Sequence, residues 1–288
     1  MVRVTVIQPP TPWSYLMDMD GVLVHEEHMI PGADAFIAEL TARDANFVVV
    51  TNNPIYTRRD LRARLLASGL DIPENRIWTS ALATAQFLHT QRPGGTAFVI
   101  GEGGLLTALH SHGYAIVDHE PDYVVVGEGR TFNLELVEAA VRMISRGSKL
   151  IATNLDPSCP MANGLIRPGC GAMVAVIEAA TGVKAFSVGK PSPFMMRAAR
   201  KELGLTTDQT TMIGDTMETD ILGGVALGFH TVLVLSGGTQ KEDVQHYAYQ
   251  PERVVTSIAE LHELLEERRW QPWWLPGRRP AAAAQEAA

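Results

Sequence analysis

The chain has 288 residues and a formal net charge of −8, with 46% hydrophobic and 19% charged residues. It holds ample apolar material for a packed core and exceeds the usual size of one domain, so two units or one core with a large insertion are expected. Acidic and basic residues are interspersed with no basic stripe, which argues against a nucleic acid polymer, and no run reaches the ~18 apolar residues that span a bilayer.

The opening stretch lacks a leader's apolar segment, its short apolar part breaking at Pro9 and Pro10, so a cytoplasmic protein is expected. Beyond it, apolar runs alternate with amphipathic stretches, the pattern of βαβ units in a mostly parallel sheet. Buried strands are predicted at 15–17, 47–50, 97–100, 123–126, 150–152, 185–188, 211–213 and 231–235. Helical patterns cover Ala33–Ala45, Arg58–Ser68, Leu134–Ser145 and Phe194–Leu203, and Gly69, Gly113, Gly147, Gly182 and Gly204 fall where helices close. Cys159 and Cys170 form neither a CxxC pair nor a disulfide framework. Residues 271–288 are rich in Pro and Ala. A loose terminus is the simple expectation there, and packing of Trp273 and Trp274 on the body or on another subunit is the alternative.

Four short motifs follow predicted strands. Asp18 and Asp20, in Asp18-Met19-Asp20-Gly21, are spaced i and i+2 after 15–17, so an extended chain points both carboxylates to one spot. Like charges so close call for a cation between them or a proton on one. Phosphoryl transfer uses both conditions, with Asp18 as metal ligand and nucleophile and Asp20 as proton carrier. Thr51-Asn52-Asn53 follows the second strand, where a hydroxyl and backbone N–H groups cradle phosphate oxygens, although a capped turn is the plainer reading of this motif alone. Lys190, held extended by Pro191, supplies a compact positive charge. Asp215, at the tip of 211–213, is a further metal carboxylate, and Asp220 supports it from the next turn; Glu218 is expected to be solvated and Thr219 to cap the helix. The carboxyl edge of a parallel sheet is where open α/β folds bind ligands, so the four motifs converge on one crevice. Hard oxygen donors without a His or Cys cluster point to Mg²⁺.

These motifs, in this order, resemble the haloacid dehalogenase (HAD) superfamily of phosphohydrolases, and within it the NagD-like class IIA branch. The resemblance runs from about Ser14 to Gly238 and includes Ala152–Asp156, Gly169–Ala172, Val188–Pro193 and Ile213–Asp220. It implies a Rossmann-like α/β core at 1–79 and 183–270 with an α/β cap inserted at 80–182. It also implies Asp18 as nucleophile, Asp20 as general acid then base, Thr51, Asn52 and Asn53 around the phosphoryl group, and Lys190 neutralising charge. Mg²⁺ would be bound by Asp18, Asp215 and the Asp20 backbone carbonyl. The cap would select the substrate, a small phosphorylated metabolite, which makes Asn154, Asp156 and the Cys159–Arg167 loop specificity candidates. A homodimer through the cap belongs to the same expectation.

Other readings are weaker. Gly101-Glu102-Gly103-Gly104 fails the dinucleotide spacing because position 106 is Leu, and no serine-hydrolase elbow is present. His25 and His28 follow the first motif, where they could reach a substrate, although a solvated loop histidine is the plainer reading. A phosphotransferase using the same intermediate, or a regulator that only binds, stays open at this level.

Overall fold

Ser14–Met17 is buried at every residue and lies inside a six-stranded, all-parallel sheet. The order is Arg253–Val255, His230–Val234, Thr210–Gly214, Ser14–Met17, Asn46–Thr51, Ile77–Thr79. The computed structural model describes residues 14–160 and 165–266. Side chains alternate across a strand, so Tyr15, Met17, Phe47 and Val49 fall on one face, against helices Ala33–Ala42, Arg58–Ala67 and Ile258–Glu266. Leu16, Val48, Val50 and Met212 fall on the other, against Ser80–Gln91 and Pro193–Glu202.

A second parallel sheet has five strands, in the order Phe186–Ser187, Lys149–Ala152, Tyr123–Val126, Thr96–Ile100, Ala115–Ile116. One face packs on Leu134–Ser145 and Cys170–Thr181, the other on Gly103–Ser111 and again on Ser80–Gln91. One apolar cluster therefore runs from Leu16 and Val48 through Ala81 and Leu88 to Tyr123 and Val125. Each fully buried aliphatic side chain in that layer contributes about 1.5–3 kcal/mol, against about 0–1 kcal/mol for an exposed ion pair. Apolar burial, not surface charge, joins the two sheets.

The predicted strands are present, and the two large sheets gain three more. Two short antiparallel pairs, Val24–His25 with His28–Met29 and Ser158–Pro160 with Ile166–Pro168, add four. The run at 185–188 shortens to Phe186–Ser187 and pairs with Lys149–Ala152, so the second sheet takes its edge strand from beyond residue 182. Ile77–Thr79, Ala115–Ile116 and Arg253–Val255 are strands of two or three residues. Segments that short carry no readable alternation and exist through pairing alone. The predicted helices end within a few residues of their expected limits, and the glycines expected to close helices have positive φ. No helix among the described residues is long and apolar enough to cross a membrane. The tail with Trp273 and Trp274 lies outside the described residues.

Candidate active site

Ser14–Met17 has Asn46–Thr51 on one side and Thr210–Gly214 on the other, so chain connections leave it in opposite directions. A crevice opens at the carboxyl ends of such strands. Asp18 follows the first of them, Thr51 ends the second and Asp215 follows the third. Lys190 arrives differently. It follows Phe186–Ser187, the edge strand of the second sheet, and crosses to the crevice from there.

Lys190 Nζ lies 2.7 Å from Asp18 Oδ1 and 2.8 Å from Asp220 Oδ1, and the three side chains are 2%, 13% and 0% exposed. Burial pulls the ammonium's pKa down, but the two carboxylates together outweigh it and hold the value above that of an ordinary lysine. Burial pushes Asp220 well up, with Lys190 as the opposing charge. Its second oxygen accepts the Thr216 N–H at 3.3 Å. Asp18 Oδ1 also accepts the Met19 N–H at 2.7 Å.

Asp215 Oδ2 accepts the Gly238 N–H at 2.6 Å, and its Oδ1 accepts the Thr216 hydroxyl at 3.2 Å. Burial, then the Asp18 carboxylate, raises its pKa to about 6. Gly21 has φ 78°, and a Cβ there would lie 2.3 Å from Asp215 Oδ2, so the glycine of the first motif is required twice over. Asp20 is reachable by solvent, while the protein around it and then Asp18 push its pKa to about 7.

Carboxylate oxygens of Asp18, Asp215 and Asp220 lie within 4.8 Å of one another, and the Asp20 carboxylate stands outside that group. Three hard donors and a carboxyl pKa displaced by a neighbouring carboxylate fit a divalent cation. Both oxygens of Asp215 and of Asp220 already accept from the protein, and Lys190 and the Met19 N–H share Asp18 Oδ1, so Asp18 Oδ2 is the oxygen of the three carboxylates left without a donor among the described residues.

The second motif divides its work. Thr51 Oγ1 accepts the Asn53 N–H at 3.1 Å, and Asn53 Oδ1 accepts the Ile55 N–H at 2.9 Å. The Asn52 amide is engaged with Lys190 and Asp156. Asp156 Oδ2 accepts from both Asn52 and Asn154 at the junction of the two sheets. Thr219 is not a cap; the wide turn Met217–Ile221 starts from Thr216, whose carbonyl accepts the Ile221 N–H at 3.3 Å. Glu218 is exposed, as expected, and accepts the Tyr247 hydroxyl. His25 and His28 sit exposed on a short hairpin. Burial and Glu128 push the Cys159 thiol up to about 12, and burial takes Cys170 to about 11, so neither is a ready nucleophile.

Two contributors escaped the sequence reading. The Gly238 N–H holds Asp215, and Thr239 Oγ1 accepts the Met217 N–H at 3.2 Å. Both belong to Ser236–Thr239, a small-residue loop after His230–Val234 at the same sheet edge, and that position was the available signal.

Residues 15–115 match a family described as haloacid dehalogenase-like hydrolase, and residues 187–261 match a second HAD-hydrolase-like family. The dihydroxyacetone phosphatase of Corynebacterium glutamicum is 48% identical over 254 residues, covering 88% of this chain and 92% of that protein. The chain belongs to the NagD-like branch of the haloacid dehalogenase superfamily. The ribonucleotide monophosphatase NagD of Escherichia coli is 39% identical over 246 residues, 85% of this phosphatase and 96% of its relative. The solved p-nitrophenyl phosphatase of Archaeoglobus fulgidus superposes with a TM-score of 0.83 at 35% identity, over 88% and 99% of the two chains. The relatives are phosphatases, and this chain is a HAD-type phosphatase.

Proposed function

We propose that this phosphatase is Mg²⁺-dependent and hydrolyses a small phosphomonoester through a phosphoryl group carried on Asp18. The observation that carries the reading is the 2.7 Å contact of the Lys190 ammonium with Asp18 Oδ1, beside a second buried carboxylate at Asp215. Lys190 and the Met19 N–H hold Oδ1, leaving Oδ2 to attack phosphorus. The Asp18 O–P bond forms as the P–O ester bond breaks, and Asp20 gives its proton to the departing oxygen. Burial and then the Asp18 carboxylate raise the Asp20 pKa to about 7, so it keeps its proton to higher pH than an ordinary carboxyl group, which suits that role. Its carboxylate then takes a proton from water, whose oxygen attacks phosphorus, breaks the Asp18 O–P bond and releases orthophosphate. Thr51 Oγ1, which accepts from Asn53, keeps its own proton to donate to a phosphoryl oxygen.

Asp18, Asp215 and the Asp20 carbonyl would hold Mg²⁺, which would supply charge neutralisation for the phosphate. The second sheet and its helices act as the cap over the crevice. The 48% identical relative is named a dihydroxyacetone phosphatase, so dihydroxyacetone phosphate heads the substrate panel. Nucleoside monophosphates, sugar phosphates and phosphoglycolate complete it. Phosphate release from at least one ester, lost in EDTA and restored by Mg²⁺, is the expected result. Release indifferent to EDTA, or none from a folded sample, overturns the reading.

A further inference from the structure

We propose that Asp156 is a positioning residue, which acts through Asn52 to hold the backbone of Lys190 and so keeps the ammonium against Asp18. The inference rests on the role given to Lys190 above. Asn52 Oδ1 accepts the Lys190 N–H at 2.8 Å, and its Nδ2 donates to the Lys190 carbonyl at 3.1 Å. One side-chain amide thus grips both backbone groups of the lysine, as a neighbouring strand would. Nδ2 also donates to Asp156 Oδ2 at 2.9 Å, and Asn154 Nδ2 donates to the same oxygen at 2.7 Å.

The far end of this brace is fixed in the second sheet. Asn154 is 1% exposed and its Oδ1 accepts the Thr153 hydroxyl at 3.0 Å, immediately after Lys149–Ala152. The near end is fixed as well, because Ser80 Oγ donates to the Asn52 carbonyl at 2.7 Å. Gly189 makes room for the contact: a Cβ there would lie 2.7 Å from Asn52 Oδ1 and 2.3 Å from the Thr153 carbonyl. Asn52 spends its oxygen and both amide hydrogens on protein partners, and Asp156 Oδ2 takes two donors. The Asn52 side chain and Asp156 Oδ2 are thus engaged in locating the lysine, while the Asn52 N–H and Asp156 Oδ1 take no part in the brace.

The test is steady-state kinetics on p-nitrophenyl phosphate and three metabolite esters of different size. Asp156→Ala should lower kcat about 10–100-fold on every ester, with KM and the substrate ranking preserved. Asp156→Asn fills the same space and keeps an acceptor for both amides, so its kcat should stay within about threefold of wild type. A loss carried by KM or confined to some esters makes Asp156 a substrate contact and overturns the proposal. So does an alanine variant with unchanged kcat. A loss of about tenfold or more in Asp156→Asn overturns it even where the alanine variant does not fold. Lys190→Ala is measured alongside. An inactive Lys190→Ala beside an unaffected Asp156→Ala withdraws the brace alone, whereas a fully active Lys190→Ala withdraws the lysine's role beneath it.

Discussion

Asp220 Oδ1 lies 2.8 Å from the Lys190 ammonium, and neither side chain has more than 2% of its surface exposed. A charge in that setting depends on its partners, since water cannot replace them. Asp220→Ala should therefore destabilise the fold by about 3–5 kcal/mol, the usual cost of breaking a buried pair from one side. Urea unfolding of the two proteins measures it. A loss below about 1 kcal/mol would mean that Asp18 alone compensates the ammonium.

Asp18→Asn keeps the shape of the side chain and removes the nucleophile. Turnover should vanish with the circular dichroism spectrum unchanged, and no phosphoenzyme should be trapped on acid quenching. Activity within about tenfold of wild type would remove Asp18 from that role.

Asp20→Asn takes away the proton needed by the departing oxygen. Alkyl phosphates, with poor leaving groups, should lose far more activity than p-nitrophenyl phosphate, whose phenolate leaves without help. Equal losses on both would count against general-acid catalysis by Asp20.

The carboxylates also set a pH dependence. Folding raises Asp20 to about 7 and Asp215 to about 6, above the ordinary carboxylate value. The stability each contributes is fully present below that ordinary value and is lost as pH rises through about 6–7. The metal-free protein should accordingly lose thermal stability between pH 5 and pH 8. A divalent cation binds the ionised forms, so the rise in Tm on adding Mg²⁺ should be larger at pH 8 than at pH 5. Differential scanning fluorimetry at the two pH values tests both signs, and a rise equal at both would separate the metal from these carboxylates.

Much of the site could be read from the chain. Asp18 after one buried run and Asp215 after another sit at strand tips that residue types announce, whereas the strand ends at Met17, so the i, i+2 rule does not bring the Asp20 carboxylate into their group. The strand at 185–188 could be read but not the sheet it joins, because its pairing with Lys149–Ala152 leaves no mark in the residue types. The work of Asn52 was equally hidden. Its partners are 104 and 138 residues away in sequence, and an asparagine before a proline-containing loop resembles any turn residue. Gly238 acts through a backbone N–H, which every non-proline residue has, so only its place at the sheet edge marks it.

The edge strand Phe186–Ser187 has a practical consequence for anyone exchanging the upper sheet between related enzymes. A graft cut at residue 182 would strip that sheet of its last strand, while a cut after Ser187 falls three residues before Lys190. On the function proposed above, the boundary that keeps the covering half whole is thus almost the boundary of the lysine that neutralises Asp18. If that half selects the substrate as proposed, a swap in the laboratory or by recombination brings its own lysine tether with it, and rate and selectivity are inherited together.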